Sequence, residues 1–282
     1  MPHKRPRRHG GAAAEPQLQS NNGDADPEGR SVTLFGHELR SQLRLYYRSR
    51  ELAFFTFALP LIMLFLLGSV YGNDRIKAEG NIHASDYLLA GMLGYGAIAT
   101  GFAGLSIILV IRRESGILKR VRATPLPPWT YIIAVVGTTL VAYALEAVCM
   151  VAIGRLAFGT HTQNMLSLAL ALLLTAATFT ALGLALTAAI KSAEGSSAIV
   201  NAIYLPASFI SGVFFSPHSF PEFLKAIADA LPLVYAIRLV RDIALHGHHI
   251  WDRPGDVAVI AAWGLVGGLV AARRFRWEPQ EG

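Results

Sequence analysis

Long apolar stretches, separated by short polar segments, run through most of the 282-residue chain. A helix that crosses the roughly 30 Å hydrocarbon core of a bilayer needs about 17 to 25 residues. Five stretches have that length, at residues 52–71, 87–111, 129–154, 165–190 and 198–215. A sixth, 257–272, is shorter, but the arginines that follow it can reach back to the interface and extend the span. The pattern predicts an all-α, polytopic integral membrane protein with six transmembrane helices within 52–277.

The composition favours a membrane protein over a soluble or nucleic-acid-binding one. Hydrophobic residues make up 53% of the chain and charged residues 16%, whereas soluble domains are about 25% charged. The net charge is +6, but the basic residues cluster beside the apolar stretches and are not interleaved with exposed aromatic residues. We therefore expect membrane lipid as a partner and no nucleic acid. Cys149 is the only cysteine, so no intrachain disulfide can form.

The distribution of basic residues predicts the orientation of the chain. With both termini in the cytoplasm, 18 of the 25 lysines and arginines lie on the cytoplasmic side, as the positive-inside rule requires. Residues 1–30 contain almost no large apolar side chains and predict a disordered cytoplasmic tail. In 31–51, Leu39 and Leu43 repeat against Arg40 and Arg44, which predicts an amphipathic helix in the interface before the first span.

The segment 112–128, RRESGILKRVRATPLPP, is a basic connection between the second and third spans. On a helical wheel the apolar residues of ILKRVR fall on one face and the basic residues on the other. Glu114 lies one turn before Leu118 on the apolar side, so its carboxylate needs a donor. The prolines that follow Thr124 end the helix. Two interpretations remain open from the residues alone: a docking element for another protein, or an interfacial helix that lies on lipid headgroups.

Two segments resemble a known family of membrane proteins. RRESGILKRVRATPLP resembles the cytoplasmic loop of the ABC type-2 exporter permeases, the membrane subunits of ATP-binding-cassette exporters, and FISGVFFSPHSFPEFLKAIADALPLVYAIRLVRDI, residues 209–243, resembles a second motif of that family. The resemblance extends over 32–277 and is closest to the permeases of daunorubicin-type drug-resistance exporters. Ser216, Leu231 and Val234 depart from the usual residues of the second motif.

The resemblance implies a half-transporter in the bacterial inner membrane. Two such subunits, identical or similar, would sit above a separate pair of cytoplasmic ABC ATPase subunits. The chain has no P-loop sequence to hold phosphates, so it is expected to be a transport subunit, with no catalytic residue, metal or cofactor of its own, and with ATP and Mg bound by the partner. The coupling helix that enters the ATPase would consist of Glu114, Gly116, Ile117, Leu118, Lys119, Val121 and Arg122.

Five further residues are candidates for a substrate path or gate. Glu146 is the only acidic residue inside a predicted span, and a buried carboxylate is costly in a membrane. It is either a cationic-substrate contact or proton relay, or it packs against Tyr143 or a polar group of another helix. The other four are Asn201, Pro206, Phe214 and Phe215, of which Asn201 and Pro206 are also candidates for the seam between two subunits.

The segment 216–250 is too charged to span and predicts short outer helices that dip into the membrane, either to gate the exit or to brace the last two spans. A metal site at His246, His248 and His249 has little support, because no cysteine is nearby. The expected function is export of a hydrophobic drug-like or lipid-like molecule. One alternative is the same architecture exporting a polysaccharide or lipid-linked glycan; another is a membrane scaffold or polytopic enzyme without an ATPase.

Overall fold

The computed structural model describes four segments of the chain, residues 58–76, 81–124, 127–214 and 220–279. The predictions of a disordered tail at 1–30 and of an amphipathic helix at 31–51, together with candidate residue Phe215, lie outside these segments. Nine helices, one short 3₁₀ helix (Ile250–Asp252) and one two-stranded hairpin form the regular structure of the described part. The helices are α1 (Leu59–Tyr71), α2 (Ala84–Glu114), α3 (Ile117–Arg122), α4 (Pro128–Phe158), α5 (Met165–Thr187), α6 (Ala193–Ile210), α7 (Glu222–Ala230), α8 (Pro232–His246) and α9 (Pro254–Arg274).

Four of these helices, α2, α4, α5 and α9, are long and apolar enough to cross a membrane. They coincide with the second, third, fourth and sixth predicted spans. At the first and fifth positions, α1 has 13 described residues and α6 has 18. The fold is therefore that of a polytopic, all-α membrane protein, and the count of six spans and the placement of both termini remain predictions.

Proline and glycine set the helix boundaries. Pro128, Pro232 and Pro254 each lie in the first turn of a helix, where the missing N–H costs nothing because it would have no partner in the helix. Gly159 and Gly247 follow the ends of α4 and α8 with positive φ angles of 64° and 70°, a conformation that other residues adopt only with strain. Antiparallel strands β1 (Arg75–Ile76) and β2 (Ile82–His83) join α1 to α2.

Helix α5 lies at the centre of the bundle and packs against α2, α4, α8 and α9. The predicted short helices of 216–250 appear as α7 and α8. Helix α8 packs against α2, α5 and α9, and nearly all of its apolar side chains are buried. It is thus part of the core of the bundle, whereas α7 has only Ala228 buried. The bundle has two ends, which we name the Arg113 end, where α3 lies, and the Arg241 end, where α8 lies.

The packing of α9 on α5 is close because α9 presents small residues. Thr178 of α5 donates a hydrogen bond from Oγ1 to the carbonyl of Ile260, at 3.1 Å. A Cβ atom at Gly267 would lie 2.9 Å from the backbone nitrogen of Leu182, whereas a Cβ at Gly268 would meet nothing within 4 Å. Gly264 also faces α5, with Thr178 as its neighbour. The contacts of this glycine-rich stretch are thus made inside the subunit by Gly264 and Gly267.

We expect Gly267→Ala to destabilise the protein and Gly268→Ala to leave its stability equal or slightly higher. The first substitution forces α9 away from the α5 backbone, and such overpacking costs about 1–3 kcal/mol, while alanine favours a helix over glycine by about 1 kcal/mol. Thermal unfolding of the two purified variants in one detergent measures the difference. Equal midpoints would contradict the close α5–α9 contact.

Candidate functional site

The chain makes a tight turn between α2 and α3 at the Arg113 end. Ser115 N–H donates to the Ile111 carbonyl and Gly116 N–H to the Arg113 carbonyl. Gly116 has a φ of +73°, a left-handed conformation that glycine adopts without strain. The predicted coupling residue Gly116 therefore lets α3 begin as a separate short helix, directed away from the axis of α2.

The structure divides the predicted coupling residues of α3 into a buried and an exposed set. Leu118 is fully buried in an apolar cluster with Leu109, Tyr131 and Leu184, and Val121 is half-buried beside it. Ile117 is 42% exposed, and Lys119 and the arginines of α3 are exposed as well. Leu118 thus anchors α3 to its own subunit, and a contact of this side chain with an ATPase stays a prediction that its burial does not support.

Glu114 has the donor that the sequence required. Arg113 Nε donates to Glu114 Oε1 at 2.8 Å, and the Glu114 side chain remains 19% exposed. One carboxylate oxygen of Glu114 is thus engaged inside the subunit, at the base of α3.

Arg113 was not among the predicted site residues, although it is 2% exposed and one of the largest fully buried side chains among the described residues. Nη1 donates to the carbonyl of Thr187 at 2.7 Å and Nη2 to that of Ile190 at 2.6 Å. A signal for this position existed in the sequence. Ser106, Leu109 and Arg113 follow one another at three- to four-residue spacing, so the arginine continues the buried stripe of α2.

The predicted path residue Glu146 lies in the interior of the bundle. It is fully buried on α4, and its Oε2 accepts a 2.7 Å hydrogen bond from Thr100 Oγ1 of α2. Thr100 belongs to a π-helical segment of α2, Ile98–Gly104, a wide turn that often occurs at functional sites. Glu146 Oε1 has no hydrogen-bond partner among the described residues. Tyr143 instead donates to the Leu93 carbonyl, at 2.7 Å.

At the Arg241 end, one arginine connects both halves of the second sequence motif. The guanidinium of Arg241 lies 3.6 Å from the centre of the Tyr87 ring on α2, and Nη2 donates to the carbonyl of Gly212. Arg241 therefore holds α8 and the loop after α6 against the first turn of α2. Nearby, Arg253 Nη2 lies 2.7 Å from Asp242 Oδ2, which fixes the connection from α8 to α9.

The histidine-rich loop after α8 makes protein contacts. Asn164 Nδ2 lies 2.7 Å from His249 Nδ1, and the His249 ring stacks on Trp251 with centroids 4.7 Å apart. His246 Nδ1 lies 3.6 Å from Asp242 Oδ1. Within the described ranges, the three histidines do not converge with acidic residues into a group that could hold a metal ion.

A cavity of about 670 Å³ opens between α1, α2 and α6. Its wall is mainly apolar and aromatic, and includes Met63, Tyr87, Tyr95, Leu205, Phe209 and Phe214. The predicted residue Phe214 thus lies in the cavity wall, with its ring centroid 5.2 Å from that of Phe209. Asn201 and Pro206 lie on the exposed surface of α6. Glu146 is separate from this wall, so the structure does not bring the four predicted path residues that it describes into one site.

We expect Glu146→Gln to keep near-normal stability and Glu146→Ala to lower it. Glutamine retains an acceptor for the Thr100 hydroxyl, whereas alanine leaves a void and an unsatisfied buried hydroxyl, with a combined cost of roughly 3 kcal/mol. Thermal unfolding of both variants, and of Thr100→Val as the partner change, measures this. Equal losses for Gln and Ala would contradict a structural role of the Thr100–Glu146 hydrogen bond.

Comparison with known proteins identifies the family of the chain. The model of the ABC-2 type transporter family matches residues 33–245, which include both the α2–α3 turn and Arg241. Transport permease ycf38 of Porphyra purpurea is 28% identical over 209 residues, 73% of this chain and 70% of its own. Inner membrane transport permease YadH of Escherichia coli K12 is 22% identical over 181 residues, 63% of this chain and 71% of its own. The chain therefore belongs to the ABC-2 type transporter family, as the resemblance of its two motifs indicated, and is the membrane component of an ABC transporter.

Proposed function

We propose that the protein is the permease subunit of an ABC exporter and that a separate ATPase subunit docks on α3. The exposure of one face of this short helix is the observation that best supports docking. Ile117 is exposed beside basic side chains, while the opposite face is fixed by Leu118 and the turn at Gly116. Such a rigid, apolar and basic projection can transmit force to the helices behind it. ATP and Mg would be bound by the partner, because this sequence has no P-loop.

The proposal places the Arg113 end in the cytoplasm and the Arg241 end outside. This orientation agrees with the excess of basic residues on the Arg113 side, and with both termini in the cytoplasm. The printed name of the Escherichia coli relative refers to the inner membrane, which supports a bacterial inner membrane for this chain.

A second permease subunit, identical or similar, would cover the exposed face of α6. The exposed surface of α6 carries the large side chains of Ile199, Ile203 and Phe209. Asn201 is also exposed, on a different side of the helix from Ile199 and Ile203. An amide exposed to lipid would lack hydrogen-bond partners, whereas at a seam between two subunits it can pair across the interface. Pro206 lies inside α6 and is exposed as well. The cavity between α1, α2 and α6 would then border this seam.

The cavity wall favours a hydrophobic, drug-like or lipid-like substrate. Most of its lining is aliphatic or aromatic, and Asp74 and Ser208 are among its few polar members. A glycan-bearing substrate is a second candidate, because flat aromatic rings can stack on sugars. The same wall contains the rings of Tyr71, Tyr87 and Tyr95. A glycan would also need many hydrogen-bond partners when buried, which this wall does not supply in its described part.

Transport would follow from a change of access. ATP would bring two ATPase subunits together, both α3 helices would move with them, and the paired permeases would switch from a state open to the cytoplasm to one open outward. The differential free energy comes from ATP binding, so the permease needs only a stiff connection between α3 and its spans.

We expect Ile117→Asp to weaken the ATPase complex and Ile227→Asp to leave it intact. Ile227 is a matched control, because it is 47% exposed on the short helix α7 at the opposite end. Tagged permease is purified in mild detergent from its host, and co-purifying P-loop ATPase is quantified by mass spectrometry. Ile117→Asp should reduce ATPase recovery about tenfold, the effect of roughly 1.4 kcal/mol. Wild-type permease recovered without any ATPase would instead favour a scaffold or polytopic enzyme.

We expect Phe214→Ala to weaken stimulation of the ATPase by hydrophobic compounds, while Phe223→Ala does not. Phe223 is exposed on α7 and away from the cavity wall. Removal of an aromatic contact should raise the half-maximal stimulating concentration several-fold, as expected from losing about 1 kcal/mol of binding. The reconstituted complex is assayed with hydrophobic amines and with lipid-linked oligosaccharides. Stimulation by the oligosaccharides alone would contradict the hydrophobic substrate.

A further inference from the structure

The guanidinium of Arg113 joins the end of α2 to the end of α5 and to the connection that follows α5. Nε contacts Glu114 at the base of α3, Nη1 contacts the last residue of α5, Thr187, and Nη2 contacts Ile190 in the connection from α5 to α6. All three nitrogens are therefore engaged at 2.6–2.8 Å. A planar guanidinium can hold several acceptors in a fixed geometry, which a lysine ammonium cannot reproduce.

The two carbonyls are groups that the fold leaves without helical partners. The last carbonyls of a helix have no N–H four residues ahead to accept from, and α5 ends at Thr187 inside the protein. A positive charge at this position also interacts favourably with the negative end of the α5 dipole. Glu114 supplies the compensating negative charge that a buried arginine requires.

The segment between α5 and α6, whose Ile190 carbonyl is bound by Arg113, leads directly into the first turn of α6. Ile190 is fully buried in a cluster with Val110 and Val200, and the Ser192 side chain accepts from Gly195 N–H as the N-cap of α6. Four residues thus separate the end of α5 from the N-cap of α6. A displacement of the Ile190 carbonyl would be passed to α6 over a very short length of chain.

On the other side, Arg113 is linked rigidly to α3. Its carbonyl accepts from Gly116 N–H in the turn, and Leu118 of α3 lies in the same apolar cluster as Leu184 of α5. Helix α3 is therefore connected to the end of α5 in two ways: indirectly, through the turn and the guanidinium of Arg113 on α2, and directly, through Leu118 in this cluster.

We propose that Arg113 is the positioning residue through which a movement of α3 reaches α5 and α6, and that Glu114 serves as its counter-ion. This inference rests on the proposed function, since it takes the ATPase as the source of the movement. It differs from the expected role of Glu114 as a direct ATPase contact, because removal of the Glu114 charge would then act on transport through Arg113. Binding of the ATPase itself would depend on the exposed face of α3.

The test compares Arg113→Lys and Arg113→Gln with Arg155→Gln, an exposed arginine near the end of α4 that is far from α3 and whose loss leaves the three contacts intact. Each permease is purified with its ATPase and measured for ATPase recovery, ATP hydrolysis and transport per ATP. Hydrogen exchange is followed at residues 184–195, with and without the ATPase. Glu114→Gln completes the set, since it keeps an acceptor for Nε but removes the charge.

In the wild type and Arg155→Gln, we expect slow exchange at 184–195 that changes on ATPase binding. In Arg113→Lys, exchange in the free permease should be faster by on the order of tenfold, ATPase recovery should stay normal, and transport per ATP should fall several-fold. Glu114→Gln should show the same uncoupling to a smaller extent. Because Lys preserves the charge and most of the volume, it reports on the connection even where Gln fails to fold.

Three results would overturn the inference while leaving the proposed function in place. The first is wild-type exchange at 184–195 in Arg113→Lys, and the second is faster exchange with unchanged transport per ATP. The third is loss of ATPase recovery in Arg113→Lys, which would show that Arg113 supports docking and not transmission. If no ATPase binds the wild-type permease, the proposed function fails and the transmission role fails with it, while the exchange of the free permease still reports whether Arg113 holds the end of α5.

Discussion

A polar group inside an apolar helical bundle must find its partner within the protein, and this constraint determines most of the specific contacts described above. Arg113 binds two carbonyls that the end of α5 leaves open. Glu146 accepts from a hydroxyl of α2, and Arg241 reaches the Gly212 carbonyl after α6. Each of these contacts joins elements that are far apart in sequence. The apolar packing brings the helices together, and the buried polar contacts select their register.

The two ends of the bundle use this constraint in different ways. At the Arg113 end, the short helix α3 is fixed by the turn after Arg113 and by the apolar cluster around Leu118, while its outer face stays exposed. At the Arg241 end, α8 is drawn into the core and held on α2 through the ring of Tyr87. Between them, α2 contains a π-helical segment at Ile98–Gly104. The π-helical segment is a point at which α2 can bend between its two anchored ends.

The length of the apolar stretches was sufficient to predict the long spans, because α2, α4, α5 and α9 are each apolar over a full membrane thickness. The break before α3 was not predicted: the sequence placed Glu114 and Leu118 in one helix, whereas α2 ends at Glu114 and Gly116 adopts a positive φ before α3 begins. The buried position of Leu118 was not predictable from a wheel of α3 alone. The wheel shows which side of α3 is apolar, but not whether an apolar side chain packs inward or faces another protein. The packing of Leu118 against Leu109 and Leu184 decides this.

The acidic residues show that sequence also predicts buried charges only in part. Sequence alone indicates that Glu114 and Glu146 need donors, since unpaired carboxylates are costly in apolar surroundings. It does not indicate which donors they find. Arg113 is adjacent to Glu114 in the chain, yet its importance comes from Thr187 and Ile190, more than 70 residues away. A charged residue on the buried stripe of a span, such as Arg113, therefore indicates a tertiary contact. Of the partners of Arg113, only the adjacent Glu114 can be recognised from the sequence.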